Sequence, residues 1–188
     1  MDAIEMIKER RSVRKFKDEK VDRELMREII EISRWAPSWA NYQIARYTLV
    51  DDEATIKKLA NDGVKGFVYN MNTLKNAKGV AVLSFVKGKS GKLDRDKLDL
   101  VKDGLSTAKA TVWEAFDTGI ACQTFCLAAH AKGVGTCIFG VIDEMSIAEI
   151  VHLPEAETVA ALIVYGYEDG PHAKPTPRKD VDEIVRFV

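Results

Sequence analysis

Hydrophobic and polar positions follow two rhythms along this chain. Ile4, Ile7 and Lys8 fall at helical spacing and predict a short first helix, with RRSVRKF (10–16) at its C-terminal end and just beyond. Leu25, Met26, Ile29, Ile30, Ser33 and Ala36 form the inward stripe of a second helix, with Asp22 as N-cap and Pro37 as its stop. YTLVDD (47–52) reads as a strand, followed by a helix through Ile56 and Leu59 and a shorter one from about Phe67. GVAVLSFV (79–86) and TVAALIVYGY (158–167) are apolar runs of strand length and predict buried strands. Residues 87–104, KGKSGKLDRDKLDLVKDG, are charged and glycine-punctuated, which predicts an exposed connection. The helix after it, Leu105 to Ala131, is apolar on more than one face through Trp113, Phe116, Ile120, Phe125 and Leu127. Such a helix is expected to be central and covered on several sides. Gly133 and Gly135 end it, TCIFGV (136–141) is short and extended, and residues 143–151 form a further helix. The tail beyond Pro171 is proline-rich and closes with RKDVDEIVRFV.

Three or four strands with unequal helical insertions predict an α+β layered fold, not a doubly wound sheet. The 188 residues suit one domain, 1–188, with 46% apolar and 30% charged side chains, ordinary values for a soluble protein. With 28 basic and 29 acidic residues there is no general basic excess, which argues against nucleic acid as a partner. The positive charge is local, because residues 8–20 hold seven Lys or Arg against three Asp or Glu. Three cysteines, Cys122, Cys126 and Cys137, make a disulfide framework unlikely to be the design and favour a reducing compartment. No stretch reads as a signal peptide or membrane span, so a cytoplasmic location is expected.

Each candidate site has two readings. Arg10, Ser12 and Arg14 could converge on a phosphate through forked donors and a hydroxyl, or form a solvated basic helix end. APSWANYQ (36–43) offers small and amide side chains suited to a planar heterocycle, or simple turn chemistry. KGVGTCIFG (132–140) misses the dinucleotide fingerprint, which leaves close backbone approach to a ligand or to packed neighbours. PTPRKD (175–180) places Arg178 and Lys179 as a second phosphate clamp or as a solvated tail. His130, His152 and His172 match no metal-ligand spacing, and Cys122 and Cys126, at i and i+4, read as small buried apolar residues.

In this order and at these spacings, IKERRSVRKF, APSWANYQ, NMNTLKNAKGVAVL, DTGIACQTFCLAAHAKGVGTCIFG and PRKDVDEIV resemble the nitroreductase family of FMN-dependent oxidoreductases. The resemblance implies an α/β sandwich around a mainly antiparallel sheet, an obligate homodimer, and FMN at the subunit interface. Arg10, Ser12 and Arg14 would then hold the flavin phosphate, ribityl chain and pyrimidine edge, with Arg11 beside them. Pro37, Ser38, Trp39 and Asn41 would approach the same flavin from the partner. Asn70 would bond the pyrimidine ring, Phe139 and Gly140 would face N5, and Arg178 and Lys179 would complete the phosphate clamp.

The implied chemistry is ping-pong transfer from NAD(P)H through the flavin to a nitroaromatic, quinone or similar acceptor. It asks no titrating side chain of the protein and no metal. Specialised branches of the family, acting in flavin destruction, dehalogenation or azoline oxidation, are the alternative, as is an FMN-binding protein without turnover. Trp39 stands where many members carry a second small polar residue, and Thr73 where some carry lysine. QIARY replaces the commoner Gln-Pro-Trp, and the end at Val188 leaves little for the arm with which larger members embrace the partner.

Overall fold

Asp2, Asp22, Asp52 and Asp143 each lend a side-chain oxygen to backbone N–H groups of the turn that follows. Each therefore satisfies donors that a helix start leaves open, and each begins a helix. The computed structural model describes residues 2–64, 66–91 and 110–188. In chain order its elements are α1 (Ala3–Glu9), α2 (Arg23–Ser33), β1 (Ala45–Val50), α3 (Glu53–Lys58), α4 (Val68–Lys75), β2 (Gly79–Val86), α5 (Ala110–Ala131), β3 (Gly135–Phe139), α6 (Glu144–Ile150), β4 (Glu157–Gly166) and α7 (Val181–Ile184).

The strands form one sheet in the order β1-β2-β4-β3, antiparallel throughout. Successive side chains of a strand point to opposite faces, and the core divides accordingly. Val80 and Val82 of β2 join Leu162 and Val164 of β4 on one face, against Leu59, Leu74, Phe139 and Ile147. Ala81, Leu83 and Ile163 point the other way, onto Met26 and Ile29 of α2 and Phe125 and Ala129 of α5. With helices on both faces, β2 and β4 read as continuous apolar runs, as the sequence pattern requires. The result is the expected α+β sandwich around an antiparallel sheet.

RRSVRKF extends the sheet at its β3 edge. Ser12 bridges Thr136 in parallel, Val13 N–H donates to the Thr136 carbonyl at 2.9 Å, and Phe16 bridges Glu168. Val13 and Phe16 are buried and anchor the segment. Gly135 is small for this reason: a Cβ there would lie 2.7 Å from Val13 Cγ2. Of its two readings, this glycine serves packed neighbours.

Some expectations shift. The first strand runs from Ala45 to Val50, two residues earlier than read, because Asp52 caps α3. Helix α2 ends at Ser33, four residues before Pro37. In the connection read as exposed, Ser90 and Gly91 are buried, while 92–104 lie outside the described residues, as does the start of the long helix at Leu105. Helix α5 is not covered all round by the described residues: Phe116 is 58% exposed, beside the exposed Gly119.

Candidate functional site

Two groups of residues, at opposite ends of α5, carry the chemistry. The first lies beside β3. Arg10 closes α1, and its half-buried guanidinium has no hydrogen-bond or ion-pair partner among the described residues. Its charge is felt at Cys126, His130 and Cys137. Ser12 faces the Cys137 thiol, and Arg14 is exposed, donating to the Ser12 carbonyl at 3.2 Å and, among the described residues, to no other group. An unspent guanidinium, a second exposed one and a hydroxyl make a forked donor set for an anion. At the end of β3, Phe139 is buried, and the Gly140 that follows is open, with nothing within 4 Å of where a Cβ would stand. Asn70 is half-buried on α4, whose Leu74 packs in the same core cluster as Val13, Cys137 and Phe139. Thr73 is buried and its hydroxyl is committed to the Tyr69 carbonyl at 3.1 Å.

Arg11 departs from the expected role. Its guanidinium donates to the carbonyls of Lys8, Arg10 and Ala173, which staples the C-terminal tail to the end of α1. A guanidinium spent on three carbonyls is a structural tie. Lys15 pairs with Asp169 at 3.0 Å on the surface.

The second group is the turn after α2. Ala40, Asn41 and Gln43 have φ of 48°, 56° and 50°, the left-handed region that residues with a Cβ rarely adopt. Ser38 Oγ accepts from Gln43 N–H at 2.8 Å, and the Trp39 ring leans on Tyr42 with centroids 5.5 Å apart. The turn roofs a cavity of about 290 Å³ lined by Ile30, Pro37, Ile44, Tyr47 and Ala121. Trp39 N–H donates to the carboxylate of Asp117 on α5, at 3.0 and 3.1 Å to its two oxygens.

At about 1.5 Å of rise per residue, the stretch of α5 from Asp117 to His130 spans roughly 20 Å. Asp117 marks the end that holds Trp39, and His130 the end beside Arg10. One chain therefore separates the two halves of the expected flavin site along this helix. Arg178 and Lys179 join neither half: Arg178 turns back on the Thr176 carbonyl and hydroxyl at 2.9 and 2.6 Å, and both are exposed.

Two carboxylates were not singled out from the sequence, and two histidines were not paired by it. Asp117 and Glu114 are buried carboxylates in an otherwise apolar helix, a pattern visible in WEAFDTG. His130 and His172, distant in sequence, stack with ring centroids 6.2 Å apart. Both His172 ring nitrogens lie 2.7 Å from acceptors, Glu168 and the Glu9 carbonyl. Glu168, then the Glu9 carbonyl, raise the His172 pKa, whereas burial, then His172 and Arg10, lower that of His130. The three cysteines are free and buried, and burial pushes the Cys137 thiol up, away from the thiolate form.

Comparison with known proteins agrees with this fold. The family model described as the nitroreductase family matches residues 7–167. The iodotyrosine deiodinase of Thermotoga neapolitana is 27% identical over 97% of this chain and 96% of its own length. The FMN-dependent nitroreductase of Clostridium difficile superposes with a TM-score of 0.71 at 28% identity, covering 98% of both chains. A nitroreductase family protein of Clostridium novyi superposes with a TM-score of 0.75 at 27% identity, over 97% of this chain and 91% of that one. With its layered fold, its edge segment RRSVRKF and a family match over most of its length, this chain belongs to the nitroreductase family.

Proposed function

We propose that this protein is an FMN-dependent oxidoreductase, working as a homodimer, that uses NAD(P)H to reduce nitroaromatic, quinone or similar acceptors. The observation that carries the reading is the pair of half-sites at opposite ends of α5, one of which holds the unspent Arg10 guanidinium. FMN, when bound, takes a hydride at N5 and passes the electrons to a second substrate in the same space. The residues present suit that group. Arg10 and Ser12 supply donors for the phosphate and ribityl chain, and Arg14 supplies positive charge for the pyrimidine edge, where negative charge gathers on reduction. Asn70 offers its amide to the same ring, and the open backbone at Phe139 and Gly140 leaves room for close approach at N5. Ser38, Trp39 and Asn41, with Pro37, come from the second copy. Arg178 and Lys179 complete the phosphate clamp once their tail is drawn to it.

The exposed face of α5 at Ala115, Phe116 and Gly119 supports a second copy of the chain as the missing cover. No described side chain has to donate or accept a proton in this scheme, which suits a site where burial pushes the Cys137 thiol up, away from the thiolate form.

The test is anaerobic. Purified protein should carry or take up FMN one per chain, bleach with NADH or NADPH under argon, and recover its colour on adding a quinone or nitroaromatic. Colourless protein that cannot be reconstituted overturns the flavin reading. The likeness to an iodotyrosine deiodinase supports one alternative within the family, reductive dehalogenation. Iodide release from iodotyrosine by the reduced protein, in preference to quinone reduction, would favour it.

A further inference from the structure

We infer that Asp117 is a positioning residue: its buried carboxylate holds the Ser38–Gln43 turn in the strained shape from which that turn contacts the flavin of the other subunit. This rests on the flavin reading above and adds a residue to it. Asp117 is 3% exposed, sits on α5, and touches no part of the expected flavin contacts except through backbone. Its two oxygens share the Trp39 N–H, and Oδ2 also accepts from the Ser90 hydroxyl at 2.6 Å. Ser90 is fully buried. One turn earlier on the same helix, the buried Glu114 accepts from Gly88 N–H. Neither carboxylate has a cation within ion-pair distance among the described residues. Burying carboxylates without cations is costly, and such groups persist where they fix something.

What Asp117 fixes is unusual backbone. Ala40, Asn41 and Gln43 all have positive φ, and left-handed non-glycine residues are held only where their surroundings over-determine them. Inside the turn, Asn41 N–H bonds the Ser38 carbonyl, Tyr42 N–H the Trp39 carbonyl, and Gln43 N–H the Ser38 hydroxyl. Those bonds shape the turn but do not place it. Asp117 ties Trp39 of this turn to the central helix, and through Ser90 ties the turn after β2 to the same point. A carboxylate with two oxygens can hold both turns at once.

The experiment compares Asp117→Ala, Asp117→Leu, which keeps the side-chain volume, and Asp117→Asn, with Arg10→Ala as the reference for direct flavin contact. FMN affinity is measured by flavin fluorescence, and exchange of the Trp39 amide is followed by hydrogen–deuterium exchange without FMN. Folding is checked by circular dichroism. The expected result is a loss of FMN affinity of about tenfold or more in the Ala and Leu variants, with faster Trp39 exchange. Asp117→Asn retains an acceptor for Trp39 and a donor for Ser90, so it should stay within a few-fold of the parent. Folded Ala or Leu variants with parental FMN affinity, while Arg10→Ala loses FMN, overturn the positioning role and leave the flavin reading standing. If neither the parent nor any variant binds FMN, the flavin reading fails, and with it the functional role of Asp117, whatever Trp39 exchange shows of the tie. If neither apolar variant folds, the parent decides: a Trp39 amide that exchanges as fast as an unprotected turn amide overturns the tie, and a protected one whose exchange speeds up in Ser90→Ala together with a loss of FMN affinity supports it.

Discussion

His172 and Glu168 form a 2.7 Å pair four residues apart in sequence, and the second nitrogen of the same imidazole reaches the Glu9 carbonyl at 2.7 Å. Both partners are acceptors, so both contacts are hydrogen bonds only when the ring carries two protons. Folding therefore raises the His172 pKa, and the stability it adds is complete below the ordinary value of about 6.5. That stability fades as pH rises through the higher folded value. His172→Gln should flatten this part of the denaturation midpoint against pH, and NMR titration of the ring should show the raised pKa directly.

His130 acts with the opposite sign. Burial lowers its pKa, so the folded protein favours the neutral ring and loses stability as pH falls from about 6.5 towards the folded value. His130→Asn should lessen the acid-side loss while leaving the alkaline fading that belongs to His172. A variant whose profile matches the parent on both sides would refute this division of labour.

Gly79 faces Tyr165 across the β2–β4 pair, and a Cβ on it would lie 2.1 Å from Tyr165 Cε2. The aromatic ring occupies the place of the missing side chain. Gly79→Ala forces ring or strand to move, an overpacking cost of about 1–3 kcal/mol or more. Urea denaturation should show a lower midpoint, and Tyr165→Ala combined with Gly79→Ala should recover part of the loss caused by the glycine change.

Arg10 and Arg11 are adjacent but should behave differently. Arg10→Ala should lower FMN affinity, since a hydrogen bond to a charged group contributes roughly 1.5–3 kcal/mol, with little change in the denaturation midpoint. Arg11→Ala removes the tie to Ala173 and should loosen the C-terminal tail, seen as faster proteolysis there, with the smaller effect on FMN. Equal FMN losses in the two would contradict the separation.

On the open face of α5, Phe116→Glu places a charge where the chain offers apolar surface. Light scattering should report monomers for this variant and dimers for the parent, with FMN lost alongside. A Phe116→Glu dimer that keeps its flavin would contradict this use of the face.

The strands β2 and β4 were legible in the sequence because helices cover both faces, so that Val80–Leu83 and Val159–Val164 read as unbroken apolar runs. The first strand was harder: its burial is uneven, and the two aspartates that follow Val50 look like strand ends until one is seen capping α3. Helix α5 illustrates a deeper limit. Apolar residues on several faces announce cover, but periodicity does not say whether Phe116 is covered by its own chain or by another. Arg10 and Arg11 look alike as letters and differ only by where their guanidinium groups go. The pairing of His130 with His172 exists only after folding, since no local pattern links the end of α5 to the tail.

In the proposed dimer, the separation of Arg10 from Trp39 along α5 would make cofactor retention a matter of concentration. A ligand that spans both groups belongs to two chains, so its binding and the meeting of those chains are one linked equilibrium. Dilution then releases the ligand even when it is present in excess, and a saturating ligand holds together chains that would otherwise part. The amount of protein in solution thus sets the fraction able to react, and specific activity should fall at low protein concentration while added FMN restores it.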